Sequence, residues 1–147
     1  MAEAVSTRPL LDKLGVRPGA RVALARADRG GTTDLADPFA ELRALLRERT
    51  GDVAVLRPGD PAPPASDLVF VEADSIDDLL RIGVLRGALV PNGAIWVVSR
   101  KGSGASLRDV DVIAAAKSVG LVDNKVVAFS PTHTALRLVI PVALRPR

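Results

Sequence analysis

Four short apolar runs constrain this chain more than any other feature: RVALARA at 21–27, DVAVL at 52–56, DLVFVEA at 67–73 and AIWVVS at 94–99. Each is apolar along most of its length rather than alternating, the pattern of a strand buried on both faces. The first is followed by a loop and then by a helix from Asp37, with Pro38 near its start, to about Arg49. Phe39, Leu42, Leu45 and Leu46 share one face of this helix, and Gly51 closes it. The third is followed by a second helix. Ser75 caps it, Asp77 and Asp78 occupy its first turn, and Ile76, Leu79, Leu80 and Val84 are expected on its inner face. The fourth leads through SRKGSGASLRD, residues 99–109, into a third helix. Ser106 and Asp109 have capping-box spacing there, Leu107, Val110 and Ala114 are expected to face inward, and Gly120 ends the helix. Strands alternating with helices imply a parallel sheet covered on both sides.

Two further β-rich runs, LVDNKVVAFS at 121–130 and TALRLVIPV at 134–142, are joined by the tight connection PTHT and read as an antiparallel hairpin. The proline-rich stretch RPGDPAPPAS at 57–66 reads as a stiff surface connection, because neither flank is long enough to fold alone. The expectation is one three-layer α/β domain over residues 1–147, with a mostly parallel Rossmann-like sheet ending in an antiparallel hairpin.

Composition removes several kinds of chemistry. The chain has no cysteine and one histidine, His133, so disulfides, thiolate sites and multi-histidine metal sites are excluded within one chain. No apolar run approaches the roughly 18 residues of a membrane span, and the first residues lack the pattern of a signal peptide. Cytoplasmic localisation and no membrane partner are therefore expected. Net charge is +3 but unevenly spread: +1 over residues 1–60, −3 over 61–99 and +5 over 100–147. The basic third favours anions. There is no Lys/Arg run, and Phe39, Phe70, Phe129 and Trp96 lie mostly in strand-like segments. They read as core rather than as base-stacking platforms, so nucleic acid is not an expected partner.

The segments KLGVRPGARVALAR and LRGALVPNGAIWVVS resemble the entry to the first strand, and the helix–turn–strand around an L-x-P-x-G element, of Rossmann-like S-adenosylmethionine methyltransferases. From LGVRPG onward, with RKGSG at 100–104, GLVDNKV at 120–126 and ALRLVI at 135–140, the chain also resembles a bacterial family known only as domain of unknown function 3052. The first resemblance implies a methyltransferase-like fold. It also implies a test of the cofactor site, because such enzymes end the first strand with an acid and a glycine-rich turn. Aligned on that pattern, Leu24 stands at the acidic position, Arg26 and Asp28 replace the first two glycines, and only Gly30 remains. A side chain at Arg26 crowds the place where the ligand should lie. After the second strand, Leu56 is followed by Arg57 where an acid should meet the ribose, and Asp60 lies in the proline-rich loop. No cofactor is therefore expected. G-x-G-x-x-G and P-loop patterns are absent, and Gly30, Gly31, Thr32 and Thr33 read as loop formers.

The best remaining anion site is the loop into the third helix: Arg100, Lys101, Gly102, Ser103, Gly104, Ser106 and Arg108 combine charge, hydroxyls and free amides at a helix start. Asp123, Asn124 and Lys125 are secondary candidates, because Asp and Asn are out of place in a strand; Lys125 and Asp123 would face that loop if the strand returned beside the fourth. His133 reads as an exposed turn residue. Glu72 and Asp74 follow the third strand, but no nucleophile–base constellation assembles and no metal site is expected. The leading expectation is a non-catalytic methyltransferase-like domain that binds a protein partner or a small anionic ligand, with self-association as a further option. The alternatives are an enzyme acting on a small phosphorylated or carboxylated substrate, or a divergent S-adenosylmethionine-dependent methyltransferase.

Overall fold

The computed structural model describes residues 10–27, 37–102 and 105–145. A single helical turn, α1 (Leu10–Lys13), precedes β1 (Val22–Ala25). Then come α2 (Ala40–Thr50), β2 (Val53–Leu56) and β3 (Ser66–Glu72). A 3-10 segment (Asp77–Arg81) runs directly into α3 (Ile82–Arg86), followed by β4 (Leu89–Arg100), α4 (Asp109–Ser118), β5 (Val122–Ala128) and β6 (His133–Val139). The six strands form one sheet in the order β2-β1-β3-β4-β6-β5. The first three pairings are parallel; β4–β6 and β6–β5 are antiparallel. The expected mostly parallel sheet with a terminal hairpin is the observed architecture, and the hairpin docks through β6.

The apolar runs are buried on both faces because each face has its own helical cover. On one face Ala23, Val69, Val71, Ile95, Val97 and Leu138 pack beneath Leu79, Ile82, Leu85, Val112 and Ala116. On the other, Leu24, Phe70, Trp96 and Val98 pack beneath Leu14, Phe39, Leu42 and Leu46. The four aromatic residues are core, as expected from their strand-like surroundings: Phe39 meets Phe70 and Phe129 edge-on, and Phe70 stacks on Trp96. The Trp96 indole N–H donates to the Leu14 carbonyl at 3.1 Å, which fixes the turn before β1 to the middle of the sheet.

Three helix faces differ from expectation. In α2, Leu42 and Leu46 are buried but Leu45, expected on the same face, is exposed at the helix margin. After β3, Leu79, Ile82 and Leu85 are buried, while Leu80 and Val84 are 75% and 71% exposed and Ile76 is also exposed. The buried spacing is three residues because this segment begins as a 3-10 turn, which repeats every three residues instead of 3.6. In α4 the buried residues are Val112 and Ala116, and Val110 and Ala114 are exposed. Leu107 is buried but precedes the helix, so a helical period counted from it is out of phase. The helix starts at Asp109 with Arg108 in the capping position, not Ser106. The Asp111 carboxylate accepts the Arg108 N–H at 3.0 Å. His133 is buried rather than exposed, because the connection lies two residues earlier than PTHT, at 129–132, and His133 already opens β6. Its Nδ1 lies 2.8 Å from the Thr132 hydroxyl.

Candidate functional site

β1 is flanked by β2 on one side and β3 on the other, and the helix that follows β1 (α2) and the helix that follows β3 (α3) cover opposite faces of the sheet. Open α/β sheets bind ligands in the crevice at the carboxyl ends of such strands. Here that place is crossed by charged side chains of the chain itself. Glu72 ends β3, and its side chain is only 2% exposed. Its Oε1 accepts Arg26 Nε at 2.7 Å and the Ala27 N–H at 3.0 Å, tying the end of β1 to the end of β3. The Arg26 guanidinium also lies 3.3 Å from Asp37 Oδ2, at the entry to α2. Arg43 holds the same oxygen at 2.7 Å, and Asp37 Oδ1 accepts the Phe39 N–H, so Asp37 joins the crevice to the start of α2.

Arg81 clamps the crevice from the third side. Its guanidinium donates to the carbonyls of Arg26 at 3.0 Å, Arg57 at 3.1 Å and Asp60 at 3.3 Å. Desolvation lowers its pKa from the usual arginine range, against which nearby Asp60 and Asp78 act. A cavity of about 320 Å³ remains beside this clamp, lined by Ala27, Pro58, Gly59, Glu72, Asp78 and Arg81 among others. Leu24, at the position where a methyltransferase carries an acid, is fully buried in the core. Asp28, Gly30, Gly31, Thr32 and Thr33 lie outside the described residues.

The loop of residues 100–108 lies at the carboxyl end of β4. It is fastened to the segment after β3: Arg100 N–H donates to Asp74 Oδ1 at 3.1 Å, and the Ser106 hydroxyl donates to the Asp74 carbonyl. Lys101 N–H reaches the Thr132 carbonyl, and Gly102 adopts a left-handed backbone with φ of 76°. One amide of the candidate anion loop is thus engaged by a carboxylate of the protein. The Arg100, Lys101 and Arg108 side chains make no ion pair among the described residues, and Ser103 and Gly104 lie outside them. Ser75, expected to cap the 3-10 segment, lies one residue ahead of the cap position at Ile76, and its hydroxyl accepts the Asp78 N–H at 3.2 Å.

Asp123, Asn124 and Lys125 do not face this loop. Register places Arg100 opposite His133, whereas Lys125 lies opposite Arg137, which pairs with Trp96, so the secondary candidates lie about four residues or more along the strands from the loop. Lys125 Nζ reaches the Lys13 carbonyl at 3.0 Å, and Asn124 Oδ1 lies 3.4 Å from Arg137. Arg81 and the partnership of Arg26 with Glu72 were not marked by the sequence. The displaced glycine at 26 is the signal that could have found the second. Among the described residues no group of three or more His, Asp or Glu could hold a metal ion, and no helix is long and apolar enough to cross a membrane.

No family model matches the chain, and no curated protein matches it. Solved structures do. A protein from Thermoplasma acidophilum described as a methyltransferase superposes with a TM-score of 0.60 at 9% identity, over 92% of this chain and 75% of that one. A TehB-like SAM-dependent methyltransferase from Corynebacterium glutamicum gives 0.54 at 14% identity, over 93% of this chain and 91% of that one. A protein described as a pericyclic reaction enzyme gives 0.58 at 12% identity, with 48% of that chain covered. At such identities the likeness establishes a methyltransferase-like Rossmann fold, and the fold alone carries no activity.

Proposed function

We propose that this chain is a methyltransferase-like domain that does not methylate and that acts by binding, to a protein partner or to a small anionic ligand. The observation that carries this reading is the Arg26–Glu72 pair. A guanidinium lies on a nearly buried carboxylate at 2.7 Å, at the crevice mouth where the usual cofactor approaches the backbone. The residues present do not fit S-adenosylmethionine in the usual mode. Leu24 offers no carboxylate, Arg26 adds a long side chain where a glycine belongs, and the carbonyl of Arg57 after β2 is held by Arg81. A cofactor entering there would have to break charge-assisted hydrogen bonds of the protein. The resemblance of RKGSG, GLVDNKV and ALRLVI to the bacterial domain of unknown function family belongs to the same reading.

The test is calorimetric titration with S-adenosylmethionine and S-adenosylhomocysteine, in the wild type and in Arg26→Gly. The expected result is no saturable heat with the wild type. Micromolar binding by the wild type would overturn the reading and restore the divergent methyltransferase. Binding gained only by Arg26→Gly would support it, by showing the fold competent and Arg26 the obstacle.

A further inference from the structure

The end of the sheet opposite the crevice holds a second cavity, of about 260 Å³, lined by Arg17, Gly19, Asp67, Asn92 and Arg137 among others. Arg137 stands in β6 with Trp96 of β4 on one side and Lys125 of β5 directly across from it on the other. Like charges directly opposite each other in a sheet destabilise it. Lys125 turns to a neutral carbonyl, that of Lys13. The Arg137 side chain makes one hydrogen bond among the described residues, a long one of 3.4 Å to Asn124. Burial, and then the neighbouring Arg145, hold its pKa below the ordinary arginine range. Asp67 is the acid in the lining, and its Oδ2 already accepts the Arg21 N–H at 2.8 Å. Asp123 lies opposite Leu138 and so belongs to the other face of the hairpin. A partly desolvated guanidinium is thus aimed into a cavity beside a second arginine, with an excess of positive charge around it.

We propose that this cavity binds the phosphate group of a small phosphorylated ligand, with Arg137 and Arg17 supplying charge and fork-like donors and Asn92 an amide. Arginine presents paired N–H groups that match an oxyanion. Two cations suit a group carrying close to two negative charges at neutral pH better than a singly charged carboxylate. Occupancy would also relieve the repulsion among Arg137, Lys125 and Arg145. The inference deepens the binding-domain reading by naming a ligand class, and the two fail separately, because the crevice and this cavity lie at opposite ends of the strands.

Trp96, the single tryptophan, neighbours Arg137 across the β4–β6 pairing and reports on the site. Inorganic phosphate is titrated against the intact protein at constant ionic strength with chloride as the reference, followed by Trp96 emission and by thermal shift. Saturable binding is expected, weakened at least tenfold by Arg137→Gln and several-fold by Arg17→Gln, with acetate binding less tightly than phosphate. Far-UV circular dichroism checks that each variant folds. Should Arg137→Gln fail to fold, Arg17→Gln, in an exposed loop, decides. No saturable response beyond chloride overturns the proposal. So does a response unchanged in the folded variants, or one abolished by Lys101→Ala, which would move the site to the loop of residues 100–108.

Discussion

Arg26→Ala tests how firmly the crevice is closed. Glu72 stays buried in the variant, since its side chain is 2% exposed and lies at the end of a central strand. Removing one partner of a buried ion pair costs about 3–5 kcal/mol when the other is stranded. The loss here is smaller. Arg26 is itself 27% exposed, so water screens part of the attraction. Glu72 keeps the amide of Ala27, and Asp37 keeps Arg43. A value near the net worth of one charged hydrogen bond, about 2 kcal/mol, is expected. For a chain of this size that lowers Tm by about 4–8 °C. Urea unfolding followed by Trp96 fluorescence measures it. A double-mutant cycle with Glu72→Gln separates the pair from its surroundings, with an expected coupling of about 1–2 kcal/mol. A loss under about 0.5 kcal/mol, the range of ordinary surface substitutions, together with no coupling, would refute the view that this pair holds the ends of β1 and β3 together.

Gly93→Ala places a methyl group 2.9 Å from the Asp67 carbonyl oxygen, 3.1 Å from that of Val90 and 3.2 Å from that of Ser66, so backbone must move. A loss of about 1–3 kcal/mol is expected in urea denaturation, against less than about 1 kcal/mol for Gly87→Ala, whose nearest contact is at 3.4 Å. Leu79→Ala is expected to cost about 2–5 kcal/mol and the adjacent Leu80→Ala within about 0.5 kcal/mol of nothing; similar losses at both positions, by the same measurement, would contradict the 3-10 phase of that segment.

The strands were legible because burial on both faces leaves an uninterrupted apolar run, a signal that does not depend on knowing the neighbours. Helix faces were less legible where the helical period was not 3.6, as after β3, or where the count began on a residue outside the helix, as at Leu107. The crevice was half visible. Arg26 stands out against a glycine pattern, but its partner Glu72 is 46 residues away and meets it only through the β1–β3 register. The opposition of Lys125 and Arg137 was hidden for a related reason: the register shifts between Asp123 and Lys125, so local alternation does not reveal which face each residue takes. Arg81 had no signal at all, since its acceptors are backbone carbonyls, which every sequence has.

The order of the hairpin strands bears on how the chain assembles during synthesis. β6 is made after β5 but lies inside the sheet, between β4 and β5, and β5 has β6 as its strand neighbour. Until residues 133–139 have left the ribosome, β5 has no partner and the flank of β4, with Trp96 at its centre, is an open edge. Unpaired edges invite association with other chains. A nascent chain stalled before His133 would therefore carry its apolar central strand exposed, and the arrival of β6 would close both gaps in one step.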